Sequence, residues 1–155
     1  MNKYMKAAVD QARIGVQKGD GGPFGAAIVK GGEIIACSHN QVLATNDPTM
    51  HAEIATIREA TAKLGRFDLG DCELYTTCLP CPMCLGAIMW AKIPKYYYGA
   101  ADSDAAAIGF DDKNIYDFIR SGSMENGALA AIETDADECR ALFDEWASKE
   151  DRSMY

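Results

Sequence analysis

The sequence predicts an α/β protein, a three-layer sandwich in which a central mixed sheet of about five strands is covered by helices. Segments with apolar residues at helical spacing alternate with short apolar segments of strand character. Turn signals separate these segments, and neither a repeat nor a linker interrupts the 155 residues. We therefore expect the whole chain, 1–155, to form one domain.

The first half is predicted to contain a helix, two strands and a second helix, at 4–16, 24–30, 33–37 and 48–65. A glycine-rich loop ends the first helix. Gly31-Gly32 is a two-residue hairpin signal between the two strands. Asp47-Pro48 is typical of a helix start, with Asp as N-cap and Pro in the first helical position, and Gly65 ends this helix.

The second half continues the alternation of strands and helices. The predicted elements are a strand, a helix and two further strands, at 73–77, 81–91, 95–100 and 128–134. A polar loop with one or two short helices covers about 102–120, and 122–127 is a break. Cys139, Leu142, Phe143 and Trp146 have the spacing of a closing amphipathic helix.

The charge balance favours a small, uncharged substrate over a nucleic acid. Asp and Glu number 23 against 15 Lys and Arg, which gives a net charge of −8 without any basic run. Nucleic-acid binding is driven by basic side chains that neutralise phosphates. No apolar run is long enough for a membrane span, and the start lacks the apolar core of a signal peptide, so we expect a cytoplasmic protein.

Two short motifs combine the side chains of a zinc site. His51-Ala52-Glu53 is followed by Pro80-Cys81-Pro82-Met83-Cys84, so one imidazole and two thiolates can fill three of zinc's four positions. A vacant fourth position is where water becomes a nucleophile. The order H-x-E…P-C-x-x-C is the signature of zinc nucleobase deaminases. His51 and Glu53 can converge only if His51 lies at the tip of its helix.

Three alternative hypotheses for the role of the cysteines remain open. Cys78, Cys81 and Cys84 form a C-x-x-C-x-x-C run typical of iron–sulfur sites, but Ile88 stands where the next cysteine is expected. A redox pair would leave His51-Ala52-Glu53 unexplained. A structural zinc site closed by Cys78 is the non-enzyme alternative, a zinc-stabilised interaction module.

The chain resembles the cytidine deaminase-like superfamily over nearly its whole length, and within it the small bacterial guanine deaminases. The shared segments are 21–26, 46–49, 51–53 and 81–88. Gly109-Phe110-Asp111-Asp112, followed by Ile115-Tyr116, is similar to the guanine-deaminase version of that loop, as is the final Tyr155. Leu79 departs from the family, which usually has Glu or Ser at that position.

The resemblance implies zinc-dependent hydrolysis of guanine to xanthine and ammonia, a reaction of purine salvage. One zinc per subunit would be held by His51, Cys81 and Cys84 with hydroxide as fourth ligand. Glu53 would shuttle protons from water to the ring and the departing amine, assisted by Asp112. The purine would be contacted by Phe24, Asn40, Ala52, Trp90, Phe110 and Tyr155. Another nucleobase or nucleoside, such as cytosine, is the first alternative substrate, and tRNA adenosine the second.

The resemblance also implies a homodimer. In this group the C-terminal segment, here about 135–155, is swapped onto the neighbouring subunit and covers its site. Tyr155 would then act on the partner's substrate.

Overall fold

The computed structural model describes residues 1–122 and 129–155, which form two compact units, Met1–Lys113 and Asn114–Tyr155. The four strands are β1 (Gly25–Lys30), β2 (Glu33–His39), β3 (Cys72–Cys78) and β4 (Lys95–Ala100). The helices are α1 (Lys3–Lys18), α2 (Val42–Thr45), α3 (Ala52–Leu64), α4 (Pro82–Trp90), α5 (Asp102–Ala107), α6 (Lys113–Ser121) and α7 (Ala136–Ala147).

The strands form one mixed sheet in the order β2-β1-β3-β4. β1 is antiparallel to both of its neighbours, whereas β3 and β4 run parallel and are joined through α4. Gly31 and Gly32 connect β1 to β2 with φ of 57° and 85°. Positive φ at both central residues is the pattern of a type I′ turn, so the predicted hairpin is confirmed.

Helices cover the sheet on both faces, which confirms the predicted three layers. Gly25 of β1 faces α1, since a Cβ there would lie 2.0 Å from the Ala8 carbonyl oxygen. Ile28, three residues on, points to the opposite face and packs in a buried cluster with Ala60 of α3 and Ile88 of α4. The α3–α4 side of the sheet therefore carries the main core.

The predicted fifth strand is wrong over the described residues. Ala128 lies outside them, and 129–134 have no strand. Leu129 and Ile132 are exposed, so no neighbouring strand supplies the pairing and burial that stabilise an extended segment.

The predicted start of the second long helix is also wrong by four residues. Asp47 accepts hydrogen bonds from the Thr49 backbone N–H (2.8 Å) and hydroxyl (2.6 Å), which makes a turn instead of a helix cap. The helix begins at Ala52 with His51 as its N-cap.

α7 confirms the closing amphipathic helix, and its apolar side chains are exposed. Leu142 is 61% and Phe143 71% accessible, and Cys139 is exposed. In the part of the chain that the structure describes, no helix has the length and apolar character needed to cross a bilayer.

Candidate metal and catalytic centre

Two helix N-termini bring the predicted metal ligands together. His51 is the N-cap of α3 and Cys81 the N-cap of α4, and both have extended backbones, with φ, ψ of −67°, 162° and −64°, 166°. Neither side chain caps its own helix. Cys84 lies on the first turn of α4, so its thiol shares the face on which Cys81 lies.

The three donor atoms have the spacing of a tetrahedral zinc site. Nδ1 of His51 lies 3.6 Å from the Sγ atoms of both Cys81 and Cys84, and all three donors lie within 4.8 Å of one another. Zinc with Zn–N near 2.0 Å and Zn–S near 2.3 Å at tetrahedral angles requires an N···S separation of about 3.5–3.6 Å. The donor set and its geometry therefore fit one zinc ion.

The two cysteines shift each other's pKa in opposite directions. The hydrogen bond from Cys84 holds the pKa of Cys81 down at about 4, and the same bond together with burial raises the pKa of Cys84. The hydrogen bond with Cys81 raises the pKa of His51. These shifts favour the thiolate at Cys81, whereas zinc binding would also require Cys84 to lose its proton.

Glu53 lies beside this cluster and is almost completely buried. Its Oε1 accepts a hydrogen bond from the Thr76 hydroxyl at 3.0 Å, and its Oε2 accepts one from the Cys84 thiol at 3.4 Å. Burial raises the pKa of Glu53, and a hydrogen bond from its own backbone N–H opposes that rise together with the bonds from Thr76 and Cys84. The expected convergence of His51 and Glu53 at a helix tip is therefore present.

A second group of predicted site residues comprises Asn40, Phe24 and Phe110. The backbone N–H of Asn40 donates to the Phe24 carbonyl at 2.9 Å, and its Oδ1 accepts from Val42 N–H at 3.2 Å. A Cβ at Gly21 would lie 2.1 Å from that Oδ1 and 2.7 Å from the Asn40 carbonyl oxygen, so any larger residue there would displace Asn40. The rings of Phe24 and Phe110 pack edge to face at 5.1 Å.

A backbone contact connects this group to the metal ligands. The N–H of Gln41, next to Asn40, donates to the carbonyl of Met50, next to His51, at 2.9 Å. Ala52, completely buried, follows His51 as the first residue of α3.

The remaining predicted site residues are Asp112, Trp90 and Tyr155. Asp112 is half-buried, and burial raises its pKa, with the negative charge of Cys81 adding to the rise. Trp90 ends α4 and is exposed, about 13.5 Å along the helix axis from Cys81 at 1.5 Å per residue. Tyr155 belongs to the second unit and is exposed.

The structure argues against the closed zinc site and the iron–sulfur reading. Over 1–122 and 129–155, the one group of three possible ligands is His51, Cys81 and Cys84. The Sγ of Cys78 is instead directed at the Ala101 carbonyl, 3.5 Å away.

Two buried polar residues were not selected as site residues from the sequence. Thr76, which contacts Glu53, shares its strand face with the core residue Leu74, and this alternation could have placed Thr76 on the inner face of the sheet but not beside Glu53. His39 is buried between Gln11 Oε1, 3.1 Å from Nδ1, and Asp20 Oδ2, 2.8 Å from Nε2. Its partners are distant in sequence, so no local spacing indicates them.

An α/β sandwich that sets a His–Cys–Cys cluster beside a buried glutamate defines a zinc-dependent deaminase, a hydrolase. The chain belongs to the cytidine and deoxycytidylate deaminase family, whose zinc-binding region matches residues 1–100.

Relatives of known activity are similar to this chain. The guanine deaminase of Bacillus subtilis (strain 168) is 53% identical over 122 residues, 79% of this chain and 78% of that protein. The X-ray structure of guanine deaminase from Bacillus subtilis matches with a TM-score of 0.93 and 45% identity, over 100% of this chain and 99% of that one. A tRNA-specific adenosine deaminase of Streptococcus pyogenes serotype M1 is 43% identical over 134 residues, 83% of this chain and 75% of that protein.

Proposed function

We propose that this protein hydrolyses guanine to xanthine and ammonia. The observation that carries the chemistry is the Glu53 carboxylate, buried and 3.4 Å from Cys84 in the zinc-ligand cluster. The substrate is supported by the likeness to guanine deaminase, which extends over the whole chain in the structural match.

The cluster residues would bind the zinc ion, and Glu53 transfers the protons. When bound by His51, Cys81 and Cys84, zinc supplies a Lewis acid that lowers the pKa of water at its open position to about 7. Glu53 takes the proton that water gives up and delivers it to a ring nitrogen of guanine. It then transfers the second water proton to the departing amine, so that one water is consumed and one ammonia released. Burial raises the pKa of this carboxyl, which favours its protonated form and so its role as a proton donor.

The substrate pocket is proposed from the second group of residues. The Asn40 side chain hydrogen-bonds the purine edge, Phe24 and Phe110 provide an apolar wall, and the purine lies over Ala52. The carboxyl of Asp112 contacts the amine and assists its departure.

We further infer that the chain is one deaminase domain that forms a homodimer by exchange of its C-terminal segment, about 135–155. The support is the exposed apolar face of α7 around Leu142 and Phe143, together with exposed Met89 and Trp90 at the end of α4. The partner's α7 and Tyr155 would close each site, with Trp90 at that boundary.

Mixing two inactive variants tests this exchange. Glu53→Gln and Tyr155→Ala are each expected to lower guanine turnover, and co-refolding them should restore part of it, because one site of the mixed dimer then has both native residues. If Tyr155 serves its own subunit, every site in the mixture keeps one defect and no activity returns.

Deamination of adenosine in tRNA is the second candidate, favoured by the similarity to the Streptococcus pyogenes enzyme. The net charge of −8 disfavours it, since phosphate contacts require basic side chains. We therefore propose that the substrate is a small base and that the protein has no nucleic-acid or membrane partner. We also propose that it is cytoplasmic.

Glu53→Gln tests the mechanism with little change in shape. We expect one zinc per chain to be retained and ammonia release from guanine to fall by about 10²- to 10⁴-fold. Asp112→Ala should lower the rate with zinc intact. Unchanged turnover in Glu53→Gln would refute the proposed proton transfer.

A further inference from the structure

Thr76 places a single hydroxyl group inside the core next to the proposed catalytic glutamate. It lies on β3 opposite Ala26 of β1 and beside Tyr98 of β4, and is 1% exposed. Its side chain shares with Leu74 the sheet face that carries α3 and α4. A residue on an inner strand, paired on both sides, has little freedom to move, so its hydroxyl is a fixed point.

The hydroxyl and the cluster hold opposite oxygens of the same carboxylate. Thr76 Oγ1 donates to Glu53 Oε1 at 3.0 Å, whereas Oε2 is directed towards the Cys84 Sγ at 3.4 Å. A cysteine that ligates zinc does so as a thiolate and cannot donate a proton. In the zinc-loaded protein, Thr76 is therefore the side-chain donor that remains to Glu53 among those the structure describes.

We propose that Thr76 is a positioning residue for deamination, holding Oε1 of Glu53 so that Oε2 faces the reacting water and base. This inference rests on the proposed role of Glu53. The terminal torsion of a glutamate has a broad preference, so burial alone does not define the plane of the carboxylate. A proton-transfer group must be aligned with the reacting atoms, and small misplacements lower the rate greatly.

Two substitutions separate the hydroxyl group from the shape of the side chain. Thr76→Val keeps the shape and removes the donor, and Thr76→Ser keeps the donor and removes a methyl group. We expect Thr76→Val to lower kcat by about 10- to 100-fold, the effect of one hydrogen bond to a charged group. KM should stay within about threefold, and Thr76→Ser should keep kcat within about threefold of the wild type.

Thr77→Val is the matched control on the same strand. The Thr77 hydroxyl faces the other side of the sheet and accepts from Gly25 N–H at 3.1 Å, away from Glu53. We expect its kcat to stay close to that of the wild type, even if it unfolds at lower urea. All variants are measured with one zinc per chain confirmed by elemental analysis.

Three results would overturn the inference: an unchanged kcat in Thr76→Val, equal losses in Thr76→Val and Thr76→Ser, or a change confined to KM. If Thr76→Val does not fold, Thr76→Ala replaces it with the same expectation for kcat, and a large loss in Thr76→Ser also contradicts the inference. Rates are taken on whichever base the wild type deaminates. If Glu53→Gln loses deamination while Thr76→Val keeps the wild-type kcat, only this inference is refuted. If Glu53→Gln keeps the wild-type kcat, the proposed mechanism itself is refuted.

Discussion

Gly25 lies where strand β1 passes closest to helix α1, and we expect Gly25→Ala to destabilise the protein strongly. A Cβ at this position would lie 2.0 Å from the Ala8 carbonyl oxygen and 2.8 Å from the Ala12 nitrogen. Both atoms belong to the helix backbone, so no side-chain rotation relieves the overlap. The Gly25 N–H also donates to the Thr77 hydroxyl at 3.1 Å, which holds the strand in place.

The size of the effect follows from the distance that must open. Ordinary contact begins near 3.4 Å, so the helix and strand must separate by about 1.4 Å, the difference between 3.4 and 2.0 Å. Withdrawal by only 0.5–1 Å already loses a quarter to a half of the dispersion energy of a contact. Overpacking of this kind costs about 1–3 kcal/mol, and we expect about 3 kcal/mol here because the clash is with backbone. That is a large part of a typical folding free energy of about 5–15 kcal/mol.

Urea unfolding of the zinc-loaded protein, followed by far-ultraviolet circular dichroism, measures this loss. With a slope of about 2 kcal/mol/M, the midpoint should fall by about 1.5 M. Gly99→Ala is the control, because the nearest atom to its Cβ would be the Thr77 carbonyl oxygen, at 2.9 Å. β4 has one described neighbour and can shift, so about 1 kcal/mol is expected. A Gly25→Ala loss below about 0.5 kcal/mol, or smaller than that of Gly99→Ala, would refute the reasoning.

Two further predictions concern the metal cluster and its surroundings. Cys84→Ala should remove zinc binding, while Cys78→Ala should leave one zinc per chain by elemental analysis. Equal zinc loss in both variants would instead support a zinc site with Cys78 as the fourth ligand. His39→Ala should lower the free energy of unfolding by about 1–3 kcal/mol, since it leaves Asp20 and Gln11 without their buried partner, and a wild-type urea midpoint would contradict this.

The local signals in the sequence were sufficient for most of the sheet. The Gly31-Gly32 turn and the apolar runs placed all four observed strands to within two residues at each end. The failures are positions where distant contacts decide. α2 was not predicted because its Leu43 and Ala44 N–H groups are held by the Asp20 carbonyl, more than twenty residues away in sequence.

The candidate site was predictable where its chemistry depends on residue type and spacing. His51, Cys81, Cys84 and Glu53 could be chosen because few side chains bind zinc or transfer protons, and their spacing matches a known motif. The helix start predicted at Asp47-Pro48 was wrong because an aspartate side chain can accept the same kind of hydrogen bond in a turn as in a helix N-cap. Thr76 could not be identified as a partner of Glu53, since only the packing of β3 against α3 brings the two together.

The proposed reaction is tested most directly by ammonia release from a panel of guanine, cytosine, adenine, their nucleosides and tRNA, using the zinc-loaded wild type. The same panel with Glu53→Gln gives the background. We predict rapid release of ammonia from guanine with formation of xanthine, and loss of that release in the variant. No ammonia from guanine, with turnover of cytosine, adenine or tRNA, would contradict the proposed substrate. No Glu53-dependent release from any compound would contradict the account as a whole.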